Sequence, residues 1–398
     1  MFIKIKKIFT ISILFIVTIS FTGCLNLLTP KSNNVDPAAT PNRNDHQGVF
    51  KTIDGGISWE HKIKLEEKSE EKTKGDGEGA EIIKEETILD KIKIASLKID
   101  PQNNQVLYLG TVAEGLYKTE NGADSWSKVG DENGILDEKA TVYSIAVEKG
   151  NSDIIYIATL NYKRGELLKS EDGGRSWKAS YISSEIEKQI NQVQIDPIHR
   201  NIVYIATEQG GLIRSDNRGE TWYTLSWFKS GVKNFVIDFQ NTDGIIVRTN
   251  TEILKSIDAG VEWESLNKKI NTTLKLNIAI AQISTMTIDN KNPHVFYITY
   301  KNLILVTRDG GMTWEKMNTI TPSLTIVGTA PKVKQIGMID DTIYYGAGNV
   351  FYKSKDKGIS WSSHDIPIKG DVRYTESDYS DSETIYLGAF YDPPPKKR

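Results

Sequence analysis

The sequence predicts an all-β protein, a seven-bladed β-propeller whose last blade is assembled from both ends of the chain. Two observations predict this fold. A motif of eight residues, Ser or Thr, any residue, Asp or Asn, any residue, Gly, any residue, Ser or Thr, and Trp, occurs seven times. Its Trp residues follow one another at intervals of 41 to 67 residues, and a four-stranded propeller blade needs about 40 to 50 residues.

The motif has the composition of a tight hairpin turn. An Asp or Asn side chain can accept hydrogen bonds from the turn backbone, and Gly supplies a positive φ. The Trp is expected to hold the turn on the sheet through its large apolar face. The seven pairs of acceptor and Trp are Asp54 and Trp59, Asn121 and Trp126, Asp172 and Trp177, Asn217 and Trp222, Asp258 and Trp263, Asp309 and Trp314, and Asp356 and Trp361. Ala123 replaces the Gly of the second copy and Glu262 replaces the Ser or Thr of the fifth, so we expect looser turns there.

Pairs of apolar strands separated by a polar turn precede the later copies, as in SLKIDPQNNQVLYLGT at 96–111. The first copy has no such pair before it, and the last pair, at 372–390, has no copy after it. We therefore expect these two halves to form one composite closing blade, which would leave no open sheet edge at the ends of the ring. The predicted propeller spans residues 48–392, followed by a tail at 393–398.

One insertion interrupts the repeat at residues 62–93. More than half of its residues are charged, and its few apolar residues show no sustained strand alternation. This composition predicts a mobile surface loop. A short helix around 82–92 is also compatible with it.

The motif resembles the Asp-box, or BNR repeat, of sialidases, xyloglucanase-type glycoside hydrolases, sortilin-like receptors and photosystem II assembly factors. The resemblance implies that each copy lies in the hairpin between the third and fourth strands of a blade, away from the active face. It also implies that the box is structural. A single propeller of this size is most similar in layout to the photosystem II assembly factors, some of which are lipid-anchored.

The N-terminus predicts an exported lipoprotein. Three lysines precede an uncharged apolar run at 8–21 that is shorter than the ~20 residues of a membrane span. The sequence SFTGC, ending at Cys24, resembles a bacterial lipoprotein box. It implies a signal peptide at 1–23, a lipidated Cys24, a flexible tether at 24–47 and a position on the membrane facing the periplasm or the cell exterior. An unprocessed signal anchor or an incidental cysteine is the alternative.

The composition and the motifs that are missing argue against several classes of function. The net charge is −3, with both signs interspersed, which argues against nucleic-acid binding. Five scattered histidines form no metal-ligand spacing, and neither a phosphate-binding loop nor a nucleophile elbow occurs. We expect no metal and no cofactor.

The loops on the face opposite the boxes supply the candidates for binding. In propellers these loops surround the central channel. The candidate binding-face residues are Glu114, Tyr162, Arg164, Glu208, Trp227, Phe228 and Tyr300. Trp227 is open to two interpretations, an aromatic platform or an inter-blade packing residue, and the apolar segment 270–283 is either a partner-binding ridge or a packed loop.

Catalysis has weaker support than binding. The Arg-Ile-Pro signature of sialidases is absent. Xyloglucanase-type enzymes place their acid and base between two propellers, whereas this chain holds one. Glu114, Asp137 and Glu208 are the carboxylates that could converge for glycoside hydrolysis. The sequence therefore favours a non-catalytic scaffold that binds a protein partner, with a glycan-binding or glycoside-hydrolase-like surface protein as the alternative.

Overall fold

A computed structural model describes residues 47–66, 73–74, 81–82, 89, 92–161, 164–186, 188–318, 333–368 and 370–390 of the chain. Strands dominate these residues. The predicted leader and tether up to residue 46 and the tail at 393–398 lie outside them.

Thirty strands occur in the described residues, and 28 of them form seven four-stranded antiparallel sheets. The chain begins with β1 (Gly48–Thr52) and β2 (Glu60–His61), and a separate hairpin follows, β3 (Thr73–Lys74) and β4 (Glu81–Ile82). Blade 1 consists of β5 (Ile94–Ile99), β6 (Leu107–Thr111), β7 (Leu116–Thr119) and β8 (Ser127–Lys128). Blade 2 consists of β9 (Thr141–Val147), β10 (Ile155–Asn161), β11 (Arg164–Ser170) and β12 (Lys178–Ile186). Blade 3 consists of β13 (Ile190–Ile195), β14 (Val203–Thr207), β15 (Gly211–Ser215) and β16 (Tyr223–Trp227).

The remaining blades continue the pattern. Blade 4 consists of β17 (Val232–Ile237), β18 (Ile245–Thr249), β19 (Ile253–Ser256) and β20 (Glu264–Ser265). The helix α1 (Asn267–Leu274) and a 3-10 turn (Ile280–Gln282) then lead to blade 5, which consists of β21 (Ile283–Ile288), β22 (Phe296–Tyr300), β23 (Leu303–Thr307) and β24 (Glu315–Lys316). Blade 6 consists of β25 (Val333–Ile339), β26 (Thr342–Ala347), β27 (Val350–Ser354) and β28 (Ser362–Asp365). The chain ends with β29 (Asp371–Ser377) and β30 (Ile385–Phe390).

The closing blade combines both ends of the chain, as predicted. Its strand order is β2-β1-β30-β29, and β1 pairs with β30 from Gly48 opposite Ala389 to Thr52 opposite Ile385. The first two strands of this blade 7 thus come from the C-terminal end and the last two from the N-terminal end. The predicted seven-bladed ring is confirmed.

The core is divided among the blade interfaces. The buried apolar residues of the described chain form seven clusters, and each cluster draws on two neighbouring blades. In blade 3, for example, Val203 and Ile205 pack towards blade 2, while Tyr204 and Ala206 pack towards blade 4. Each sheet therefore buries both faces, which explains why its inner strands are apolar along their whole length.

Each Asp-box forms the hairpin between the third and fourth strands of its blade. In the first box, the Thr52 hydroxyl accepts the Gly56 N–H at 2.9 Å, and Asp54 Oδ1 accepts the Ser58 N–H at 2.9 Å. The Trp59 indole N–H donates to the Gly56 carbonyl at 3.1 Å. In all seven boxes the leading hydroxyl accepts the N–H of the fifth residue, at 2.7 to 3.1 Å.

The two deviant boxes keep this backbone pattern. Ala123 adopts a left-handed φ of 73°, and its N–H still reaches the Thr119 hydroxyl at 3.1 Å. The Glu262 N–H donates to Asp258 Oδ1 at 3.0 Å, although Glu262 has no hydroxyl to donate to the second carboxylate oxygen. Neither substitution opens its turn.

A second contact ties every box to its own blade. A backbone N–H of the box donates to a carbonyl in the turn between the first and second strands, as from Gly173 to Asp153 and from Lys357 to Asp341. The boxes and these turns therefore lie together at one end of the propeller. The loops that carry the candidate binding residues lie at the other end.

The insertion at 62–93 does not behave as an independent loop at its ends. Ile63, Leu65, Leu89 and Ile92 pack on the cluster between blades 7 and 1, and the Trp126 indole donates to the Lys62 carbonyl at 3.0 Å. Residue 82 lies in a strand, and residues 89 and 92 are not helical. The helix expected around 82–92 is therefore wrong for the described residues, and the predicted mobile loop falls mainly outside them.

Candidate binding site in the central channel

The first strand of every blade carries a β-bulge. In six of these strands the pairing with the second strand skips one residue, and in β21 it skips two. The skipped residues are Ala95, Tyr143, Asn191, Lys233, Ser284, Thr285, Lys334 and Arg373. A bulge redirects the side chain of its extra residue and is common next to functional sites. The bulges are near the start of each first strand and hence at the end of the propeller opposite the boxes.

A cavity of about 1170 Å³ occupies the channel between the first strands. Of the skipped residues, those that line it are Ala95, Tyr143, Asn191, Lys233, Ser284, Thr285 and Arg373. We call these seven residues the channel mouth. They differ in size, charge and hydrogen-bonding capacity. The same backbone geometry therefore carries chemically different side chains from one blade to the next.

Polar side chains fix the first strands beside one another. The Ser96 hydroxyl donates to the Val142 carbonyl of the next blade at 2.8 Å. The Gln192 amide binds both the N–H and the carbonyl of Phe235, at 2.8 and 3.0 Å. These contacts between consecutive blades give the channel a defined wall.

Arg248 is a buried cation in this wall. Its side chain is only 8% exposed. Its guanidinium donates to Asn234 Oδ1 at 2.7 Å and to the carbonyls of Ile283 and Ser284 at 3.0 and 3.4 Å. The second and third contacts reach the bulge of β21 from the preceding blade. Burial lowers the pKa of Arg248 to about 10, so the group remains charged at neutral pH.

The two carboxylates of the cavity wall belong to the deeper part of the channel. Glu376 forms an ion pair with Lys98 at 3.2 Å. Burial opposes the charge on Lys98, but this carboxylate raises the pKa of the amine above its usual value. Asp196 follows the end of β13, and its Oδ1 accepts the N–H groups of Ile198 and His199 at 2.9 and 2.8 Å. Glu376 and one oxygen of Asp196 are therefore already engaged, whereas Asp196 Oδ2 is buried without a hydrogen bond.

Two tyrosines add neutral hydroxyl groups to the wall. Burial raises the pKa of Tyr143, and the charge of nearby Glu208 raises it further. Burial also raises the pKa of Tyr374, although Arg373 opposes the shift. Both phenols therefore stay protonated at neutral pH.

The candidates predicted from the sequence lie outside the cavity wall. Glu114 and Arg164 are exposed, Glu208 is half-buried, and Trp227 is 61% exposed at the end of β16. None of the six candidates in the described chain lines the cavity. Tyr162 lies outside the described residues.

Three aromatic candidates differ in burial. The exposure of Trp227 does not fit an inter-blade packing role. Phe228 is half-buried and packs edge-to-face on Trp263, with ring centroids 5.1 Å apart. Tyr300 is 7% exposed and belongs to the core between blades 4 and 5, so it is not available at the surface.

The apolar segment 270–283, which includes the end of α1, the 3-10 turn and the first residue of β21, packs on the core. Ile270, Ile278, Ile280 and Ile283 are all buried in the cluster between blades 4 and 5. The alternative of an exposed partner-binding ridge is therefore wrong. The segment 318–333, also apolar, lies almost entirely outside the described residues.

The described part of the chain shows neither a metal site nor a membrane-spanning helix. No group of three or more His, Cys, Asp or Glu side chains there could hold a metal ion. Among the same residues, no helix combines the length and the apolar character that a membrane crossing requires.

Comparison with known proteins gives two groups of relatives. The family model described as photosynthesis system II assembly factor YCF48 matches residues 228–380. A xyloglucanase of Hypocrea jecorina is 24% identical over 231 residues, which cover 54% of this chain and 25% of that protein. The chain thus spans about a quarter of the length of this curated relative.

Solved structures give the same two groups. The GH74 xyloglucanase from Xanthomonas campestris superposes with a TM-score of 0.59 at 15% identity, covering 75% of this chain and 51% of that one. YCF48 from Cyanidioschyzon merolae superposes with a TM-score of 0.56 at 12% identity, covering 75% of this chain and 96% of that one. The chain is a seven-bladed β-propeller whose hairpins carry the Asp-box motif. YCF48 bound to D1 peptide, with a TM-score of 0.55 at 13% identity, is covered over 94% of its length. The fold of this chain is thus shared with YCF48, which it covers almost completely, and with a GH74 xyloglucanase, of which it covers about half.

Proposed function

We propose that this chain is a lipid-anchored, extracytoplasmic propeller that acts as a non-catalytic scaffold and binds a protein partner at the channel mouth. The observation that carries the proposal is the set of bulges, which turn seven unlike side chains towards one cavity. A surface of this kind can distinguish partners, because shape and hydrogen bonding differ at each position.

The relatives support a protein partner. One of the similar structures is YCF48 bound to D1 peptide, and that protein is covered almost completely by a chain with one propeller. The two xyloglucanases are covered over about a half and a quarter of their length. A scaffold role also agrees with the chemistry of the wall, where the two carboxylates are held by Lys98 and by backbone N–H groups.

The alternative is a glycan-binding or glycoside-hydrolase-like surface protein. The similarity to xyloglucanases supports it, as does the exposed Trp227, because aromatic faces commonly stack on sugar rings. Hydrolysis would need two carboxyl groups about 5 to 10 Å apart. Release of reducing sugar from xyloglucan, lost on replacing Glu208 or Glu114 by Gln, would favour this alternative.

The scaffold proposal is tested by affinity capture from native membranes. We expect one abundant protein to co-purify with the wild-type chain and to be lost from Lys233→Ser. Lys316→Ser is the matched control, because Lys316 is an exposed lysine on the outer strand β24. Equal capture by both variants, or no partner above background, would contradict the proposal.

The membrane anchor is tested separately. Cys24→Ala should abolish labelling with a radioactive fatty acid and release the protein from the membrane fraction. An unlabelled wild-type protein would refute lipidation without bearing on the channel mouth.

A further inference from the structure

The boxes differ in the side chains that they expose. The second and sixth residues of the motif are free to vary. In blades 4 to 7, six of the eight residues at these two positions are apolar, and each is between 58 and 84% exposed. We call these six residues the apolar arc: Ile257 and Val261 of blade 4, Met312 of blade 5, Ile359 of blade 6, and Ile53 and Ile57 of blade 7. The arc covers four consecutive blades at the box end of the propeller.

Charged side chains occupy the same positions in the other three boxes. In blades 1 to 3, the sixth residue of one box is Arg175, and the other five residues are acidic. Their side chains are between 51 and 72% exposed, and they are Glu120, Asp124, Glu171, Asp216 and Glu220. The two positions that the arc leaves in blades 5 and 6 hold the cations Arg308 and Lys355, which are 49 and 69% exposed. The variable positions therefore divide the box end into an apolar, basic half and an acidic half.

This distribution differs from the scatter of single apolar residues that is normal on a protein surface. Thirteen large apolar residues of the described chain are exposed, and six of them belong to the arc. The turns that carry them are closed. At two of the tips, the N–H groups of Val261 and Ile359 donate to the Oδ1 atoms of Asp258 and Asp356, at 3.2 and 3.0 Å. These N–H groups therefore need no water as a partner, which lowers the cost of placing the tips against an apolar medium.

The layout of the arc fits a lipid surface. Its residues are spread over four hairpin tips, and none of them lines the channel cavity. Protein interfaces are built around a compact core that is enriched in aromatic residues, whereas the arc contains none. A membrane surface accepts apolar side chains at shallow depth and attracts Lys and Arg through its anionic headgroups. The same headgroups repel the acidic half of the box end, so the two halves together favour one orientation.

The two cations beside the arc can exchange their present partners for lipid. Arg308 pairs with Glu315 at 2.8 Å and Lys355 with Glu383 at 2.9 Å. Ion pairs at an exposed surface contribute little to stability, and a lipid phosphate offers the same kind of charge-assisted hydrogen bond. Glu383 also pairs with Lys353 at 2.9 Å, so it keeps a cationic partner when Lys355 leaves.

We infer that the apolar arc docks on the surface of a bilayer that contains anionic lipid, with its six side chains at the acyl boundary and with Arg308 and Lys355 at the lipid phosphates. The inference goes beyond the proposed function and rests on it only in that the proposed anchor holds the chain at a membrane. The predicted tether at 24–47 can extend to at most about 80 Å, which lets the box end reach the bilayer. The channel mouth, at the opposite end, then faces away from the membrane and stays open to a partner.

The test is site-specific fluorescence quenching on the full chain, reconstituted with vesicles of phosphatidylethanolamine and phosphatidylglycerol that carry a nitroxide on their acyl chains. Cys24→Ala removes the one native thiol, and the chain keeps its apolar run at 8–21 to hold it on the vesicle. An environment-sensitive fluorophore is attached at Ile359→Cys or, as the matched control, at Arg175→Cys, the sixth residue of the box in blade 2. In the floated, vesicle-bound fraction we expect quenching at position 359 and none at position 175.

A second pair of variants tests the arc away from the label. Ile257→Ser with Val261→Ser should shift the ratio of docked to undocked chain roughly tenfold towards the undocked state, as read from quenching at position 359. Ile182→Ser is the control, because Ile182 is 48% exposed on the outer strand of blade 2 and lies outside the arc, and it should leave the ratio unchanged.

Equal quenching at positions 359 and 175, or none at 359 in the vesicle-bound chain, would overturn the inference and leave the anchor and scaffold proposals intact. A change in fluorescence at position 359 that depends on protein concentration and not on vesicles would assign the arc to a second copy of this chain, and would overturn the inference as well. The anchor itself is decided by the fatty-acid labelling of Cys24, which does not involve the arc.

Discussion

The two ends of this propeller use repetition in opposite ways. At the box end, one residue pattern recurs seven times and produces one hydrogen-bond pattern. At the channel mouth, one backbone irregularity recurs seven times but carries a different residue almost every time. A repeated residue indicates that the fold needs it in every blade. A repeated geometry with varied residues leaves the side chains free to serve recognition.

The largest difference between the two ends should be in stability. Trp126 is fully buried in the core between blades 7 and 1 and donates to the Lys62 carbonyl. Trp126→Ala should lower the free energy of unfolding by about 3–5 kcal/mol, the usual cost of such a core truncation. Trp227→Ala is the matched control, because Trp227 is 61% exposed, and it should cost less than about 1 kcal/mol. Denaturant unfolding of both variants measures the difference, and similar losses would contradict a structural role specific to the box.

Removing the hydroxyl at the start of a box should lower the free energy of unfolding by a smaller amount. Thr52 accepts the N–H groups of Asp54 and Gly56 and donates to the Asp54 carboxylate. Thr52→Val keeps the shape and removes the acceptor from the buried Gly56 N–H, which should cost about 1–3 kcal/mol. In the control Thr273→Val, an exposed hydroxyl on α1 is lost, and the unfolding midpoint should hardly move. If both variants unfold at the wild-type midpoint, the hydrogen bond does not stabilise the turn.

The box carboxylates should make stability depend on acid pH. Hydrogen bonds from the side chain and then the backbone of Ser58 lower the pKa of Asp54 from 3.8 to about 2. Those from Ser360 lower the pKa of Asp356 to about 2 in the same way. Because the folded-state pKa lies below the unfolded one, this stabilisation is complete above about pH 4 and is lost as the pH falls through 2.

The chain contains its own control for this effect. In the second box, Asn121 closes the same turn, with its Oδ1 accepting the Ser125 N–H at 2.9 Å and its amide donating to the Ser125 hydroxyl at 2.8 Å. Asp54→Asn with Asp356→Asn should therefore flatten the stability profile between pH 4 and 2. Asn121→Asp should steepen it. Urea unfolding at a series of pH values checks both predictions. Profiles parallel to that of the wild type would show that the box carboxylates do not determine how stability depends on pH.

The smallest effect on stability is expected at the channel mouth. Lys233 is half-buried, and Lys233→Ser should shift the free energy of unfolding by no more than about 0.5 kcal/mol. A larger loss, equal to that of Thr52→Val, would mean that the mouth residues are structural as well. The comparison is made by measuring thermal unfolding on the same preparation of each variant that is used for the binding assay.

The sequence predicted the fold because each box is a local structure. Its turn is closed by residues within the motif, so a sequence of eight residues is enough to recognise it. The first box lacks a preceding strand pair and the last strand pair lacks a box, and together these two halves imply the closing blade. Two other segments could not be placed from sequence alone, because their apolar residues pack on distant parts of the chain. Residues Ile63 and Leu89 of the charged insertion pack on the cluster between blades 7 and 1. The 270–283 segment, which the sequence left open between a ridge and a packed loop, is buried between blades 4 and 5.

The channel mouth could not be predicted in the same way. A bulge has no fixed residue at its extra position, and here that residue is Ala95 in one blade and Arg373 in another. The charged residues that line the cavity come from five blades and are brought around one cavity only when the ring closes. Arg248 is the one charged residue of its second strand and is preceded there by three apolar residues, and this exception to the strand pattern was a signal available in the sequence.

The most direct test of the account is site-specific photocrosslinking in native cells from one position at each end of the molecule. A photoreactive phenylalanine analogue would replace Tyr143 in the channel mouth or Ile359 in the seventh box, where the side chain is 84% exposed. The account predicts a discrete crosslinked partner from position 143 and none from position 359. A partner that crosslinks from position 359 and not from position 143 would contradict it, because recognition would then belong to the repeated end of the propeller.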